Sequence, residues 1–268
     1  MYEFDSRVRY SELAEDKKLS LVSVINYFQD CCTFEAEERE VGLEYHDINH
    51  TAWMLINWHI KINRRPEFNE NIRVKTWAIG FRHFLGERNF TIKNDEGELL
   101  VCAYSKWAYV NTLAGVPEKG IPKEEVDAYG AAEPFRADFR KDKIKLPEEM
   151  MAVEPITVTA GNLDTNHHVN NAEYVGLALS AVSSYLNSVY KNESFSDGVA
   201  DNSSEKISAD RDAEVSLSRV SEIRVEYKLQ SVLGDVIYPF VSVKEDNIYV
   251  VLRNADGNPK LIAELTIR

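Results

Sequence analysis

Cysteine is scarce in this chain. Cys31, Cys32 and Cys102 are the only three, and no two of them stand in CxxC spacing. So odd and sparse a set supplies neither a disulfide framework nor a zinc site. It points to a reducing compartment, the cytoplasm, with buried thiols as the simplest role. Positive charge is not in excess either: 44 acidic residues face 31 basic ones, a formal net charge of −13, which argues against general nucleic-acid binding. No apolar run is long enough to span a bilayer, and residues 1–20 carry charges throughout with no apolar core of a signal peptide. Neither a membrane nor a secretory route is therefore expected. GxSxG, HExxH, phosphate-loop and GxGxxG patterns are all missing. Across 268 residues, the 44% that are hydrophobic still suffice for a normal core, in one large domain or two modest ones.

What is present falls into two similar halves. In the first, "KLSLVSVINYFQDCCTFEAEERE" (18–40) spaces Leu19, Val22, Ile25 and Phe28 as a long, mostly buried helix. Strand-like runs follow at 53–63, 71–81, 85–94 and 98–111, with "NDEG" (94–97) as a hairpin turn. The second half begins with a short strand at 154–160 and a helix at 171–190. Strands follow at 220–230, 235–244, 246–254 and 260–268, with "NADGNP" (254–259) as its turn. Setting Gly234-Asp235 against Asn69-Glu70 brings Val225 onto Ile60, Tyr227 onto Ile62 and Gln230 onto Arg65, so the apolar positions agree. This is an internal duplication of an α+β unit. The expected organisation is an N-terminal unit at 1–111, a linker rich in proline and charge at 112–150, and a C-terminal unit at 151–268. Within the last, the polar stretch 191–218 reads as a long exposed loop.

The halves differ most just before their helices. The first reads "YSELAEDKKLS" (10–20), without His or Asn; the second reads "AGNLDTNHHVNN" (160–171). One Asn or Asp there would be an ordinary helix cap. A run of donors, acceptors and titratable rings, absent from the sister half, points to chemistry. A helix N-terminus offers unpaired N–H groups and a positive dipole end that can hold an oxyanion. His168 can move protons near neutral pH; Asp164 can accept a proton, activate water or orient the imidazole; Asn166 can hold a water or a carbonyl. Together they make a hydrolytic set for an ester or thioester, calling for no cofactor and no metal. His46 and His50 in "HDINH" stand four apart, but no further ligand set accompanies them.

These segments resemble the acyl-acyl carrier protein (acyl-ACP) thioesterases of plant plastids and bacteria. "LDTNHHVNNAEYVG" (163–176) looks like their active-site segment, and "AWMLINWHIKINRRPEFNENIRVKTW" (52–77) like their W-V-L block. The resemblance covers nearly the whole chain apart from 191–218. It implies an α+β double hotdog, two tandem units each with a long helix wrapped by an antiparallel β-sheet. It also implies hydrolysis of the acyl thioester on the phosphopantetheine arm of acyl carrier protein, releasing free fatty acid. The family's catalytic Asp, Asn and His fall on Asp164, Asn166 and His168. The family's Glu-Cys pair after the next strand falls on Gln230 and Ser231, neither of which is a carboxylate. Asp164 and His168 must then carry the proton chemistry, or a nearby carboxylate substitutes: Glu226, expected on the same strand face as position 230, or Glu173.

Carrier protein is acidic as a class, so a local basic surface is expected: Arg136, Arg140, Lys141, Lys143 and Lys145 in "FRADFRKDKIK" (135–145). An acyl-CoA thioesterase and a non-catalytic acyl-binding hotdog protein remain open alternatives, and the oligomeric state, a homodimer included, is open as well.

Overall fold

The computed structural model describes residues 1–194 and 217–268, with no account of the side chains of 190–194. The expected loop at 191–218 thus lies, over 195–216, outside the described residues. The chain divides into two compact units, Met1–Asp142 and Lys143–Arg268.

The first unit runs β1 (Tyr2–Arg7), α1 (Leu21–Glu38), α2 (Leu43–Asn49), β2 (Thr51–Ile62), β3 (Asn71–Arg82), β4 (Leu85–Asn94), β5 (Leu99–Asn111), β6 (Val116–Pro117) and α3 (Lys123–Tyr129). Its sheet is antiparallel in the order β1-β3-β4-β5-β2, and β6 pairs with β5. Helix α1 starts where the Ser20 hydroxyl accepts the Ser23 N–H at 3.0 Å. Leu21, Val24, Ile25, Phe28 and Cys31 are its buried stripe, at the i, i+3, i+4, i+7 spacing that puts them on one face. Against that face lie Trp58 of β2 and Phe90 of β4, their rings 5.7 and 5.0 Å from Phe28. Each such fully buried aromatic contributes roughly 1.5–3 kcal/mol. Gly97, at φ 82°, makes the β4–β5 turn that a side-chain-bearing residue would resist.

The second unit runs β7 (Met151–Ala152), β8 (Ile156–Thr157), α4 (Asn171–Ser194), β9 (Val220–Tyr227), β10 (Val236–Lys244), β11 (Asn247–Arg253) and β12 (Pro259–Ile267). Its order is β10-β11-β12-β9, with β7 and β8 both on the free side of β10. β8, β10, β11, β12 and β9 stand here where β1, β3, β4, β5 and β2 stand in the first unit. Ala172, Val175, Ala178 and Val182 form the buried stripe of α4, which packs on β10, β11 and β12. Each unit is therefore a hotdog, a long helix laid on an antiparallel sheet, and the chain is a double hotdog.

Residues 112–142, read from their prolines as part of a linker, lie within the first unit. The Arg39 guanidinium donates to the Ala128 carbonyl at 2.7 Å, Trp77 Nε1 to the Glu133 carbonyl at 3.0 Å, and the Phe135 N–H to Asn89 Oδ1 at 2.9 Å. Tyr129 and Glu125 of α3 are buried. Anchors of this kind fix a segment whatever its proline content. No helix among the described residues is long and apolar enough to cross a membrane.

Candidate active site

The approach to each helix is the same piece of backbone. A turn of 3-10 helix, Tyr10–Glu12 in the first unit and Ala160–Asn162 in the second, leads into a loop closed by a two-residue bridge, Leu13 with Leu19 and Leu163 with Val169. Ala14 N–H donates to the Lys18 carbonyl and Asp164 N–H to that of His168, both at 2.8 Å. Leu19 N–H reaches the Pro66 carbonyl at 2.8 Å, and Val169 N–H reaches that of Ser231 at 2.9 Å. Lys17 and His167 both take the left-handed conformation, φ 63° and 60°. The two loops thus match residue for residue: Ala14 with Asp164, Asp16 with Asn166, Lys18 with His168, Arg65 with Gln230. Loop shape is a property of the fold; the set of Asp164, Asn166 and His168 belongs to the second copy alone.

In the second unit Asp164 Oδ1 accepts the N–H groups of Asn166 at 2.8 Å and His168 at 3.3 Å. The carboxylate therefore pins the loop across its mouth and keeps Oδ2 for other work. Asp164 and His168 are half-buried; Asn166 and His167 are exposed. Asn170 caps α4, its Oδ1 accepting the Ala172 N–H at 2.8 Å, so this N–H is spent on the cap and is not open to an oxyanion. Glu173 accepts from Asn162 Nδ2 at 3.1 Å.

The opposite wall is the β9–β10 connection. Lys260 Nζ donates to the Gln230 carbonyl at 2.8 Å and pairs with Asp235 at 3.0 Å, holding that carboxyl below its usual range. The Tyr174 hydroxyl donates to the Leu229 carbonyl and the Tyr227 hydroxyl to the Asn171 carbonyl, at 3.1 and 2.9 Å. Burial pushes the Tyr174 phenol up to about 12, so it stays a donor. Ser231 is buried at the back of this wall, whereas the Gln230 side chain is exposed. The two tyrosines stand inside the segments "NNAEYVG" and "VEY", so sequence could have singled them out; Lys260 carried no such signal.

In the first unit the equivalent place is closed. Arg65, buried, pairs with Asp16 and donates to the Leu19 carbonyl at 3.3 Å. A guanidinium and a carboxylate stand where the second unit has two neutral amides.

Glu226 does not fit its expected role as a substitute base. Strand β9 ends at Tyr227, so alternation does not carry through to position 230. Tyr227 turns toward α4; Glu226, its neighbour on the strand, takes the other face. There it accepts the Ile144 N–H at 2.7 Å and pairs with Lys228 at 2.5 Å. The basic residues are exposed: Arg136, Arg140 and Lys141 in the first unit, Lys143 and Lys145 in the second. Lys141 is engaged with Glu87 at 2.9 Å and lies 4.5 Å from the Tyr104 ring centre, and Arg140 lies 3.6 Å from Asp142. His50 caps α2 in the left-handed conformation, while the His46 ring bonds Thr51 at 3.0 Å and stands 3.7 Å from Glu125. Among the described residues no three His, Cys, Asp or Glu side chains gather as a metal site would require.

Residues 1–128 match the family model described as the acyl-ACP thioesterase N-terminal domain. The match falls within the first unit. It ends before the loop of the second unit, so the polar cluster lies outside it. The chain is also similar to the chloroplastic palmitoyl-acyl carrier protein thioesterase of Gossypium hirsutum, 25% identical over 64% of this chain and 45% of that protein. The dodecanoyl-[acyl-carrier-protein] hydrolase of Cinnamomum camphora is 26% identical over 65% of this chain and 49% of that protein. The chain spans about half the length of these curated relatives. Among solved structures, an acyl-ACP thioesterase from Bacteroides thetaiotaomicron superposes with a TM-score of 0.78 at 19% identity, over 99% of this chain and 97% of that one. The 12:0-ACP thioesterase of Umbellularia californica gives 0.73 at 20% identity, over 100% and 96%. Likenesses at this identity show the fold alone, a double hotdog.

Proposed function

We propose that this chain hydrolyses the thioester of acyl-acyl carrier protein and releases free fatty acid, with the chemistry at the N-terminus of α4. The observation that carries the reading is the contrast between two loops of one shape. Asp164, Asn166 and His168 stand where the first copy has Ala14, Asp16 and Lys18. A fold that needs none of these side chains has them only once, at a dipole end suited to developing negative charge. The thioesterase names of the relatives point to the same reaction.

In this reading the thioester carbonyl lies at the mouth of α4. A water, held by Asn166 and the Gln230 amide, gives its proton to Asp164 Oδ2 or to His168 as its oxygen attacks the carbonyl carbon. The C–S bond then breaks, and the thiolate takes the proton back from the same group. Gln230, with no titratable proton near neutral pH, positions and does not act as base. Ser231, behind the wall, lies too deep to attack the substrate. The exposed Arg136 and Arg140 are the basic candidates for an acidic carrier protein in the first unit, and Lys143 and Lys145 in the second. The cytoplasm, read from the free cysteines, belongs to the same proposal.

The test is release of free thiol from a panel of acyl-carrier-protein donors, with matched acyl-CoA alongside. Turnover on the carrier-protein donors that exceeds turnover on CoA is the expected result. Preference for CoA would move the substrate to the second thioester class. No turnover on either, with Gln230→Glu creating it, would make the chain a binding relative of the enzymes.

A further inference from the structure

The β9–β10 connection carries apolar side chains that the fold does not ask for. Leu229, Val232, Leu233, Val236 and Tyr238 are each between 37 and 60% exposed, and they run outward from Gln230 along the loop and the start of β10. A scattered exposed leucine needs no explanation; a contiguous apolar run does. Nor is this a loose segment that happens to lie open. Its backbone is held by the Tyr174 hydroxyl at Leu229, by Lys260 at Gln230 and by the Val169 N–H at Ser231, and Val232 N–H donates to Asp235 at 3.3 Å.

The first unit is the control. Asn63 N–H bonds the Leu100 carbonyl as Lys228 N–H bonds that of Lys260, and Glu70 N–H bonds the Glu67 carbonyl as Asp235 N–H bonds that of Val232. In that register Leu229, Val232, Val236 and Tyr238 fall on Arg64, Glu67, Asn71 and Arg73. Arg64 pairs with Glu70 and Glu98, and Arg73 with Asp5, at 2.7 Å each. Four of the five exposed positions are thus charged or polar beside the closed loop and apolar beside the open one; the fifth, Leu233, falls on Phe68, itself apolar and exposed.

We propose that Leu229, Val232, Leu233, Val236 and Tyr238 form a ledge on which the acyl carrier protein itself seats as it delivers its thioester to the α4 loop. The inference rests on the thioesterase reading, because that reading requires a protein-borne donor to approach the exposed side of Asn166 and Gln230. Place rather than charge favours this occupant, since the run starts at Leu229 beside the exposed Gln230. The chain carries −13, so an acidic carrier is repelled overall. The lysines beside the ledge are already taken, Lys228 of the connection by Glu226 and Lys260 of β12 by Asp235. Apolar contact binds a like-charged partner without needing opposite charge.

The test measures binding apart from turnover. A carrier protein bearing a thioether analogue of its acyl group, which cannot be hydrolysed, is titrated calorimetrically into the full chain. Leu233→Ser combined with Val236→Thr, both exposed, weakens binding on the order of 10-fold. Phe68→Ser, at the position equivalent to Leu233 in the first unit, leaves it unchanged, and melting curves confirm that both variants fold. Equal affinity of the double variant and the wild type overturns the ledge, as does equal weakening by Phe68→Ser. A wild-type dimer that becomes monomeric in the double variant, with carrier affinity intact, gives the ledge to a second copy of this chain and also overturns it. Wild type that binds the analogue through the ledge but cleaves no thioester refutes the thioesterase reading and leaves the ledge standing.

Discussion

Replacing Glu125 by glutamine should change how the stability of this chain depends on pH. Glu125 of α3 is fully buried in the first unit. Its Oε2 accepts the Trp53 indole N–H at 3.2 Å, while Oε1 has no hydrogen bond and lies 3.7 Å from His46 Nε2. Burial pushes the Glu125 carboxyl from 4.5 up to about 7, and burial pushes the His46 imidazole down, so the histidine does not become the counter-ion. The native chain therefore holds a proton on Glu125 at pH values where the unfolded chain has lost it. Such a group stabilises fully below pH 4.5, and its contribution is lost as pH rises to about 7, where the loss levels off. At about 1.36 kcal/mol per pH unit, the span from 4.5 to about 7 corresponds to about 3 kcal/mol. Glutamine keeps the shape and an acceptor for Trp53 and removes the titration. Thermal melts of wild type and Glu125→Gln at pH 5 and pH 8 supply the assay. The variant should match wild type at pH 5 within about 1 kcal/mol and melt roughly 5–10 °C higher at pH 8. A pH dependence identical in the two proteins would refute the reasoning, as would a variant destabilised equally at both pH values.

Asp164→Asn keeps the oxygen that pins the loop but removes the charge, and His168→Ala removes the proton carrier; each should lower thioester turnover ~10²-fold or more, with the melting point little changed. His167→Asn, which suits the left-handed backbone, should cost far less, and equal losses at 167 and 168 would overturn the assignment. Gln230→Ala should slow turnover on the order of 10-fold through lost positioning, whereas Gln230→Glu should retain activity and add an acidic limb to the pH–rate profile. Steady-state rates across pH 5–9 check both, and a loss at Gln230→Ala as deep as at His168→Ala would mean that the amide does more than position. Asn170→Ala removes the cap of α4 and should cost about 1 kcal/mol in a denaturant melt; no measurable cost would mean that the Ala172 N–H finds another partner.

Helices and strands were legible because their apolar spacings are local: the stripe of α1 repeats every three to four residues, and β3 alternates over its first residues. The duplication was legible for the same reason, since matched apolar positions align Val225 with Ile60 without a gap. Candidate site residues were legible from a contrast in composition between two loops. What the sequence hid was tertiary. Glu125 meets His46 and Trp53, more than seventy residues away along the chain, so nothing local distinguished α3 from a proline-rich linker. Glu226 was misplaced by extending strand alternation beyond Tyr227, where β9 stops. The use of Asp164 to hold its own loop was equally invisible, because that bond depends on the left-handed turn at His167.

If the thioesterase reading holds, the closed loop of the first unit opens a route to a second turnover centre. Its backbone already holds the bridge, the left-handed residue and the helix entry that the other loop uses. Four substitutions separate the principal side chains: Ala14→Asp, Asp16→Asn, Lys18→His and Arg65→Gln. Introduced together in a His168→Ala background, they would let any regained thioester cleavage be credited to the rebuilt loop alone. Cleavage that stays absent while the variant folds would show that a catalytic loop needs more from its surroundings than its own shape and side chains. Each unit would then be a graft host for the other, with recovered rate measuring how much of the proposed activity depends on groups beyond the loop.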